Sequence, residues 1–300
     1  MFLNLDPSAK TPQDDKMCSA KFKKGFMDKP VSNMHSLRKL VSLRGWLAKI
    51  GEKSMDLAYH AGGVSYLFRD TMFTLFHTKL RWNATLDQMN KIGVTSLPLV
   101  FLTALFTGMV LSLQSAYQLK LFAATQFTSD LVALSMTREL GPVLTAMVVA
   151  GRVGASIAAE LGTMKVTEQI DAMRALAVDP VRYLVVPRFV AAFFMLFILT
   201  IYADCIGMLG GYMVAIFKLG ISSHQYITRS IKVLMIKDFA TGLIKAFFFG
   251  AAISIVGCYF GFKAKNGAEG VGRATTLAVV TALILIIASD AVFTAIFYFF

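Results

Sequence analysis

The chain has 300 residues, of which 56% are hydrophobic and 16% are charged, and its mean hydropathy is +0.62. Soluble domains carry about 25% charged residues, so a chain this apolar could not cover an aqueous surface of its size. The composition therefore excludes a soluble protein, and it predicts an integral membrane protein. The net charge is +12, from 30 basic and 18 acidic residues.

Much of the basic excess lies at the N-terminus, where residues 1–91 hold 15 basic and 8 acidic groups. A basic flank beside apolar spans is typical of a cytoplasmic segment near anionic lipid. We predict a disordered cytoplasmic tail over residues 1–54, which contains no apolar core of a signal peptide. The segment also lacks the interleaved aromatic and basic residues of nucleic-acid-binding modules, so no nucleic-acid partner is predicted.

Residues 55–91 are predicted to form an interfacial amphipathic helix followed by a linker. Apolar residues recur at helical spacing over residues 55–80, but Arg69, Asp70 and His77 interrupt them. A segment this mixed is costly to place across a bilayer. It suits a helix that lies in the plane of the interface.

Residues 92–300 contain five apolar stretches, each longer than the roughly 20 residues that cross a bilayer. They cover residues 92–115, 131–163, 184–217, 239–262 and 274–300. The predicted fold is therefore an all-α integral membrane protein with five transmembrane helices. The basic tail and two basic loops favour a cytoplasmic N-terminus and an external C-terminus, although the basic connection 218–238 breaks the positive-inside rule.

Small residues recur every four positions in the second stretch, at Ala150, Gly154 and Ala158. Small residues at this spacing let helix backbones approach closely in lipid. Two interpretations remain open, namely packing within the chain and a contact between subunits.

Charged residues inside the second stretch are the sharper signal. Arg138 and Glu139 stand just before Pro142, and Arg152 and Glu160 follow. Ionisable groups at membrane depth are expensive and usually face the interior of a bundle or a wet cavity. A structural ion pair is the alternative. Asp204 and Asp290 also lie in apolar stretches, and they are weaker candidates.

A short amphipathic helix is predicted between the second and third stretches, within residues 167–180. Thr167 is a candidate N-cap, and Ile170, Met173 and Leu176 share one apolar stripe. The helix suits either an interfacial connector or the groove of a soluble partner.

Motifs for chemistry are missing from the sequence. It contains no P-loop, no HExxH, no GxSxG and no acidic calcium loop, and its three cysteines are far apart. The chain is therefore predicted not to be an enzyme, and to need no cofactor or metal.

The run from Arg138 to Arg188, RELGPVLTAMVVAGRVGASIAAELGTMKVTEQIDAMRALAVDPVRYLVVPR, closely resembles the MlaE/YrbE permeases of ABC lipid transporters associated with MCE proteins. GMVLSLQ at 108–114 and GVGRATT at 270–276 add to the resemblance, which covers about residues 55–300. The first 50 residues match nothing recognised and exceed the short N-terminus usual in the family.

The resemblance implies an inner-membrane permease domain over residues 92–300 that moves lipid, usually phospholipid, toward the outer membrane. The expected partners are a second permease copy in a homodimer, a pair of cytoplasmic ATPases that hydrolyse ATP, and a periplasmic MCE-protein hexamer. The ATPases would dock on the connecting helix through Glu168, Ile170, Asp171, Met173, Arg174 and Leu176.

The resemblance also implies a lipid site. It would contain the charged pair of the RELGP motif and residues along the first span, namely Arg138, Glu139, Leu111, Gln114, Leu119 and Phe122. The family often has a basic residue where Gln88 stands, so a salt bridge from that position to Glu139 is not expected here. Two rival functions remain, an ion-coupled secondary carrier that uses Arg138 and Glu139, and a membrane scaffold that transports nothing.

Overall fold

The computed structural model describes residues 55, 58–265 and 267–299. Contacts divide the chain into two units, Met1–His60 and Ala61–Phe300. In the first unit the described residues are helical, and the predicted tail of residues 1–54 lies outside the described part. The second unit is described below, and every regular element in its described residues is a helix, as the sequence predicts.

The chain enters the bundle through two helices and a tight turn. Helix α1 covers residues 58–77, and α2 follows at Trp82–Ile92. A 3-10 turn at Val94–Ser96 leads into α3, Leu97–Lys120, which has a proline in its first turn. Proline is tolerated there because the N–H groups of a first turn have no partner within the helix.

The second span is a long helix with two wider turns. Its segments are α4 (Thr128–Ser135), a π-turn (Met136–Leu140), α5 (Gly141–Val149), a second π-turn (Ala150–Gly154) and α6 (Ala155–Val166). The first π-turn ends just before Pro142, which has no N–H to donate and so disturbs the regular helical ladder. This π-turn carries Arg138 and Glu139.

Five helices then complete the described chain. They are α7 (Gln169–Ala175), α8 (Val186–Phe217, preceded by a π-turn at Val181–Val185), α9 (Ser223–Val233), α10 (Ile236–Phe262) and α11 (Gly267–Phe299). Five segments are long and apolar enough to cross a membrane: Trp82–Lys120, Thr125–Val166, Val181–Phe217, Ile236–Phe262 and Gly267–Phe297. The predicted number of transmembrane helices is confirmed.

The start of α7 differs from the prediction. Its N-cap is Glu168, in the left-handed region with φ of 60°, and no side chain caps the helix. The Thr167 hydroxyl instead donates to the carbonyl oxygen of Thr163 at 2.9 Å, one turn back in α6. The prediction that Thr167 caps this helix is therefore wrong, because its hydroxyl bonds back to the preceding helix.

Small residues bring the spans into close contact. Gly154 and Ala158 are buried against α10, where Gly257 and Gly261 face them. The small-residue stripe of the second span thus packs within the chain. The approach is closer still between α3 and α8, where a Cβ added to Gly108 would collide with the backbone carbonyl of Gly207.

Candidate functional site

The first π-turn of the second span presents Arg138 to the start of α10. The Nε of Arg138 donates to Oδ1 of Asp238 at 2.7 Å, and its Nη2 forms an ion pair with the same oxygen. Asp238 is buried, and its other oxygen accepts a hydrogen bond from the backbone N–H of Met235 at 3.0 Å. The carboxylate of Asp238 therefore stabilises both the first turn of α10 and the guanidinium of Arg138.

Glu139 meets a buried lysine from α10. The Nζ of Lys245 donates to Oε2 of Glu139 at 2.7 Å and to the hydroxyl of Thr294 at 2.8 Å, and it lies 2.8 Å from Oδ1 of Asp290. The side chain of Lys245 is only 2% exposed, whereas that of Glu139 is 41% exposed. One buried cation therefore joins two carboxylates from different spans.

These groups line a cavity of about 280 Å³ at the end of the bundle opposite to α7. Its walls are Arg138, Glu139, Lys237, Asp238, Thr241, Lys245, Thr294 and Phe297. Arg138 forms its ion pair with Asp238 and still keeps more than half of its side chain exposed. A guanidinium with exposed N–H groups is suited to binding a phosphate or a carboxylate.

The predicted residues of the first span lie in a different place. Leu111 and Gln114 line a separate cavity of about 360 Å³, which also includes Leu140. Because Leu140 follows Glu139 directly, the two cavities flank the same π-turn. Leu119 is half-buried and Phe122 is exposed, and among the described residues neither lines one of these two cavities.

Sequence reasoning missed the partners of the charged pair. Lys245 lies inside a predicted span. A charged residue inside a span is a candidate functional residue, so the sequence could have identified Lys245. Asp238 lies just outside that span, and Thr294 gave no signal. The cation beside Glu139 comes from the fourth span, not from the position of Gln88.

Asp204 and Asp290, the two weaker acidic candidates, lie in different surroundings. Asp290 joins the cluster around Lys245. Asp204 is buried in α8, and its Oδ1 has no hydrogen-bond partner within the described residues.

A second charged cluster lies near the α7 end of the second span. Glu160 pairs with Nη2 of Arg188 at 2.9 Å and with Nζ of Lys91 at 3.5 Å. Arg152 lies nearby and donates to the hydroxyl of Ser96 at 2.8 Å. The sequence had suggested Arg152 and Glu160 as a charged feature of this span, but the structure pairs them with different neighbours.

The predicted coupling residues of α7 divide between the bundle and the surface. Ile170 is 1% exposed and Met173 packs on the core, whereas Leu176 is 77% exposed. Asp171 accepts a hydrogen bond from Lys165 at 2.7 Å, which lowers the pKa of its carboxyl below the usual value. The surface of α7 that remains open to a partner is therefore formed by Leu176 with the charged residues Glu168, Asp171 and Arg174.

The amino-acid sequence is similar to a family of permeases and to individual bacterial proteins. The family model for Permease MlaE matches residues 85–296. The "Probable ABC transporter permease protein" of Rickettsia bellii is 44% identical over 249 residues, which is 83% of this chain and 96% of the relative. The "Intermembrane phospholipid transport system permease protein MlaE" of Haemophilus influenzae is 34% identical over 254 residues, which is 84% of this chain and 97% of the relative.

A plant relative is also similar. "Protein TRIGALACTOSYLDIACYLGLYCEROL 1, chloroplastic" of Arabidopsis thaliana is 37% identical over 220 residues, which is 73% of this chain and 63% of the relative.

Proposed function

The chain belongs to the MlaE permease family, and from this premise we propose that it is the permease subunit of an ABC transporter for phospholipid. It would move lipid between the inner membrane and an MCE-protein tunnel that leads toward the outer membrane. The name of the Haemophilus relative supports the substrate class, because that protein is a permease of an intermembrane phospholipid transport system. ATP hydrolysis is assigned to a separate partner subunit.

The observation that carries this proposal is the pair of cavities around the first π-turn. One is lined by charged groups and contains the exposed part of Arg138. The other is lined mainly by apolar side chains such as Leu111 and Leu140. A phospholipid has the same division, because its phosphate suits a guanidinium and its acyl chains suit an apolar wall.

The surface of α7 supports the ATPase partner. A large apolar side chain, Leu176, is exposed beside charged residues at the end of the bundle. The helix is bracketed by two non-glycine residues with positive φ, Glu168 and Ala177. Such backbone conformations cost free energy and are often kept at functional sites. We therefore propose that α7 enters a groove of a cytoplasmic ATPase, which makes the N-terminus cytoplasmic and the C-terminus periplasmic.

The open face of the second span supports a second permease copy. Arg138, Glu139 and Glu160 each keep a large part of their side chains exposed in the single chain. Charged groups on a membrane-spanning helix are costly when they face lipid. A second copy placed against this face would form a homodimer and enclose these charges around the cavities. The periplasmic MCE hexamer would then receive lipid at the end of the bundle opposite to α7.

The test is lipid transfer from proteoliposomes by the complex reconstituted with its ATPase and MCE partners. Transfer is normalised to folded complex, and it is measured with and without ATP. We expect ATP-dependent transfer that falls severalfold in Glu139→Gln and in Arg138→Ala. Asp130→Asn is the matched control, because it neutralises a carboxylate that pairs with Arg229 away from the cavity.

Three outcomes would contradict the proposal. Unchanged transfer and lipid occupancy in both cavity variants would remove the site. Lipid transfer that depends on an ion gradient and is independent of ATP would favour a secondary carrier. A complex that assembles and transfers no lipid would favour a scaffold.

The coupling surface has its own test. Leu176→Asp places a charge where an apolar groove is expected, so the ATPase should no longer co-purify while the permease stays folded. Ile231→Asp is the control, since Ile231 is an exposed apolar residue of α9. Normal recovery of the ATPase with Leu176→Asp would refute this docking surface.

A further inference from the structure

An apolar cavity in the described part of the chain shares no lining residue with the charged one. It is a crevice of about 680 Å³ between α1, the start of α8 and the middle of α10. Its walls are almost entirely apolar, and Ser65 is the only residue with a polar side chain among its lining residues in the described chain. The floor is a stack of aromatic rings in which Phe247 lies 4.4 Å from Phe193 and 4.6 Å from Phe197, between ring centroids.

The crevice begins beneath α1 and runs into the membrane. Phe68 of α1 contacts Phe189 near the start of α8, at the same end of the bundle as α7. From there the lining residues of α10 extend from Val256 to Ile244. At the helical rise of 1.5 Å per residue this stretch is about 18 Å long. Half of a hydrocarbon core of about 30 Å is about 15 Å, so the crevice is as long as one leaflet is thick.

A basic residue of α1 lies next to the crevice. Ser65, Met72 and Phe76 line it from α1, and Arg69 lies at helical spacing on the same side of that helix. Arg69 is exposed, at the level where α1 covers the crevice. A guanidinium in this position is complementary to a lipid phosphate whose acyl chain lies in the apolar channel below.

We propose that the crevice binds one acyl chain of a bilayer phospholipid from the leaflet on which α1 lies, with the phosphate beside Arg69. Among the described residues, none lines both the crevice and the charged cavity, and Leu285 is the only residue of the fifth span that lines the crevice. A lipid in the crevice is therefore held separately from any lipid in the charged cavity. It fills the space between α1 and the bundle. The crevice is thus a site for a resident lipid that holds α1 against α8 and α10.

The test uses the full chain in nanodiscs of phosphatidylglycerol with brominated acyl chains, since bromine quenches tryptophan fluorescence on contact. Trp46 and Trp82 are first changed to Phe, and Phe247→Trp then reports from the floor of the crevice. Ile198→Trp is the matched reporter on an exposed surface of the third span. After exchange into excess unbrominated lipid, quenching at the Phe247→Trp reporter should persist at least severalfold longer than at the Ile198→Trp reporter. Equal rates of recovery would overturn the proposal.

A second measurement does not depend on the reporter variants. The lipid that remains with the detergent-purified chain is counted by mass spectrometry. Ala252→Phe fills the crevice and should lower the count by about one phospholipid per chain. Ala288→Phe makes the same change at an exposed position of the fifth span and should not. An unchanged count in Ala252→Phe would also reject the site.

Discussion

The two charged clusters of the second span are built alike and stand at different ends of it. In each, a carboxylate of the second span is 41% exposed, and the cation that pairs with it is buried on a neighbouring helix. Glu139 and Glu160 are 21 positions apart, which corresponds to about 32 Å along a helix. This separation is close to the thickness of a hydrocarbon core.

The clusters differ in how their buried cation is shared. Lys245 serves Glu139, Asp290 and the hydroxyl of Thr294. The Nη2 of Arg188 pairs with Glu160, and its Nη1 donates a hydrogen bond to the backbone carbonyl of Leu184, one helical turn earlier in the same span. Removal of a lysine that neutralises two carboxylates should therefore cost more than removal of the arginine that neutralises one. The first cluster joins the second span to the fourth and fifth, whereas the second joins the second span to the third through buried Arg188 and to the first only through exposed Lys91.

The largest effect is expected for Lys245→Met. The change leaves Asp290, which is 22% exposed, and half-exposed Glu139 without their shared cation. Loss of one partner of a buried ion pair costs about 3–5 kcal/mol, and the lower figure is expected here because Glu139 also contacts solvent. The free energy of unfolding in detergent should fall by about this amount. Lys218→Met is the control, because Lys218 is exposed, and it should change stability little. Equal stability of the two variants would show that the shared lysine does not tie the spans together.

A smaller loss is expected for Arg188→Gln. The glutamine can keep a hydrogen bond, and half-exposed Glu160 retains Lys91 and some water, so the loss should be about 2 kcal/mol. Chemical unfolding of both variants in the same detergent measures the difference. A loss larger than that of Lys245→Met would reverse the comparison between the clusters.

Glu139→Gln separates stability from function. Lys245 keeps Asp290 as a partner, and the neutral amide can still accept a hydrogen bond, so the stability should fall by only about 1 kcal/mol. Lipid transfer per folded complex should fall severalfold, because the charge of the cavity changes. The unfolding curve and the transfer assay are measured on the same preparation. A large loss of stability with normal transfer per folded complex would make the pair a structural tie only.

The smallest effect is expected for Lys91→Gln. Lys91 is exposed, and its contact with Glu160 is long at 3.5 Å. Exposed ion pairs contribute about 0–1 kcal/mol. The melting temperature of the variant should therefore stay close to that of the wild type, and added salt should reduce even this difference. A loss of stability comparable to that of Arg188→Gln would show that Lys91 contributes as much to the second cluster as Arg188 does.

Hydropathy alone predicted the number of spans, since each apolar stretch is long enough to cross the hydrocarbon core without help from its neighbours. The charged pair of Arg138 and Glu139 was also visible in the sequence as a candidate, because charge within an apolar stretch is rare whatever surrounds it. The connecting helix at α7 was expected as well, although its start was not, because the hydroxyl of Thr167 bonds to the end of α6.

The pairing of the charges was decided only by the tertiary structure. Lys245 is 106 positions from Glu139 and Asp238 is 100 positions from Arg138, so no local pattern connects them. Which cation meets which carboxylate depends on how the small residues of the second and fourth spans set the helices side by side. The apolar crevice under α1 has the same origin. Its residues are ordinary membrane-helix residues in sequence, and only the packing of four separate helices leaves a space between them.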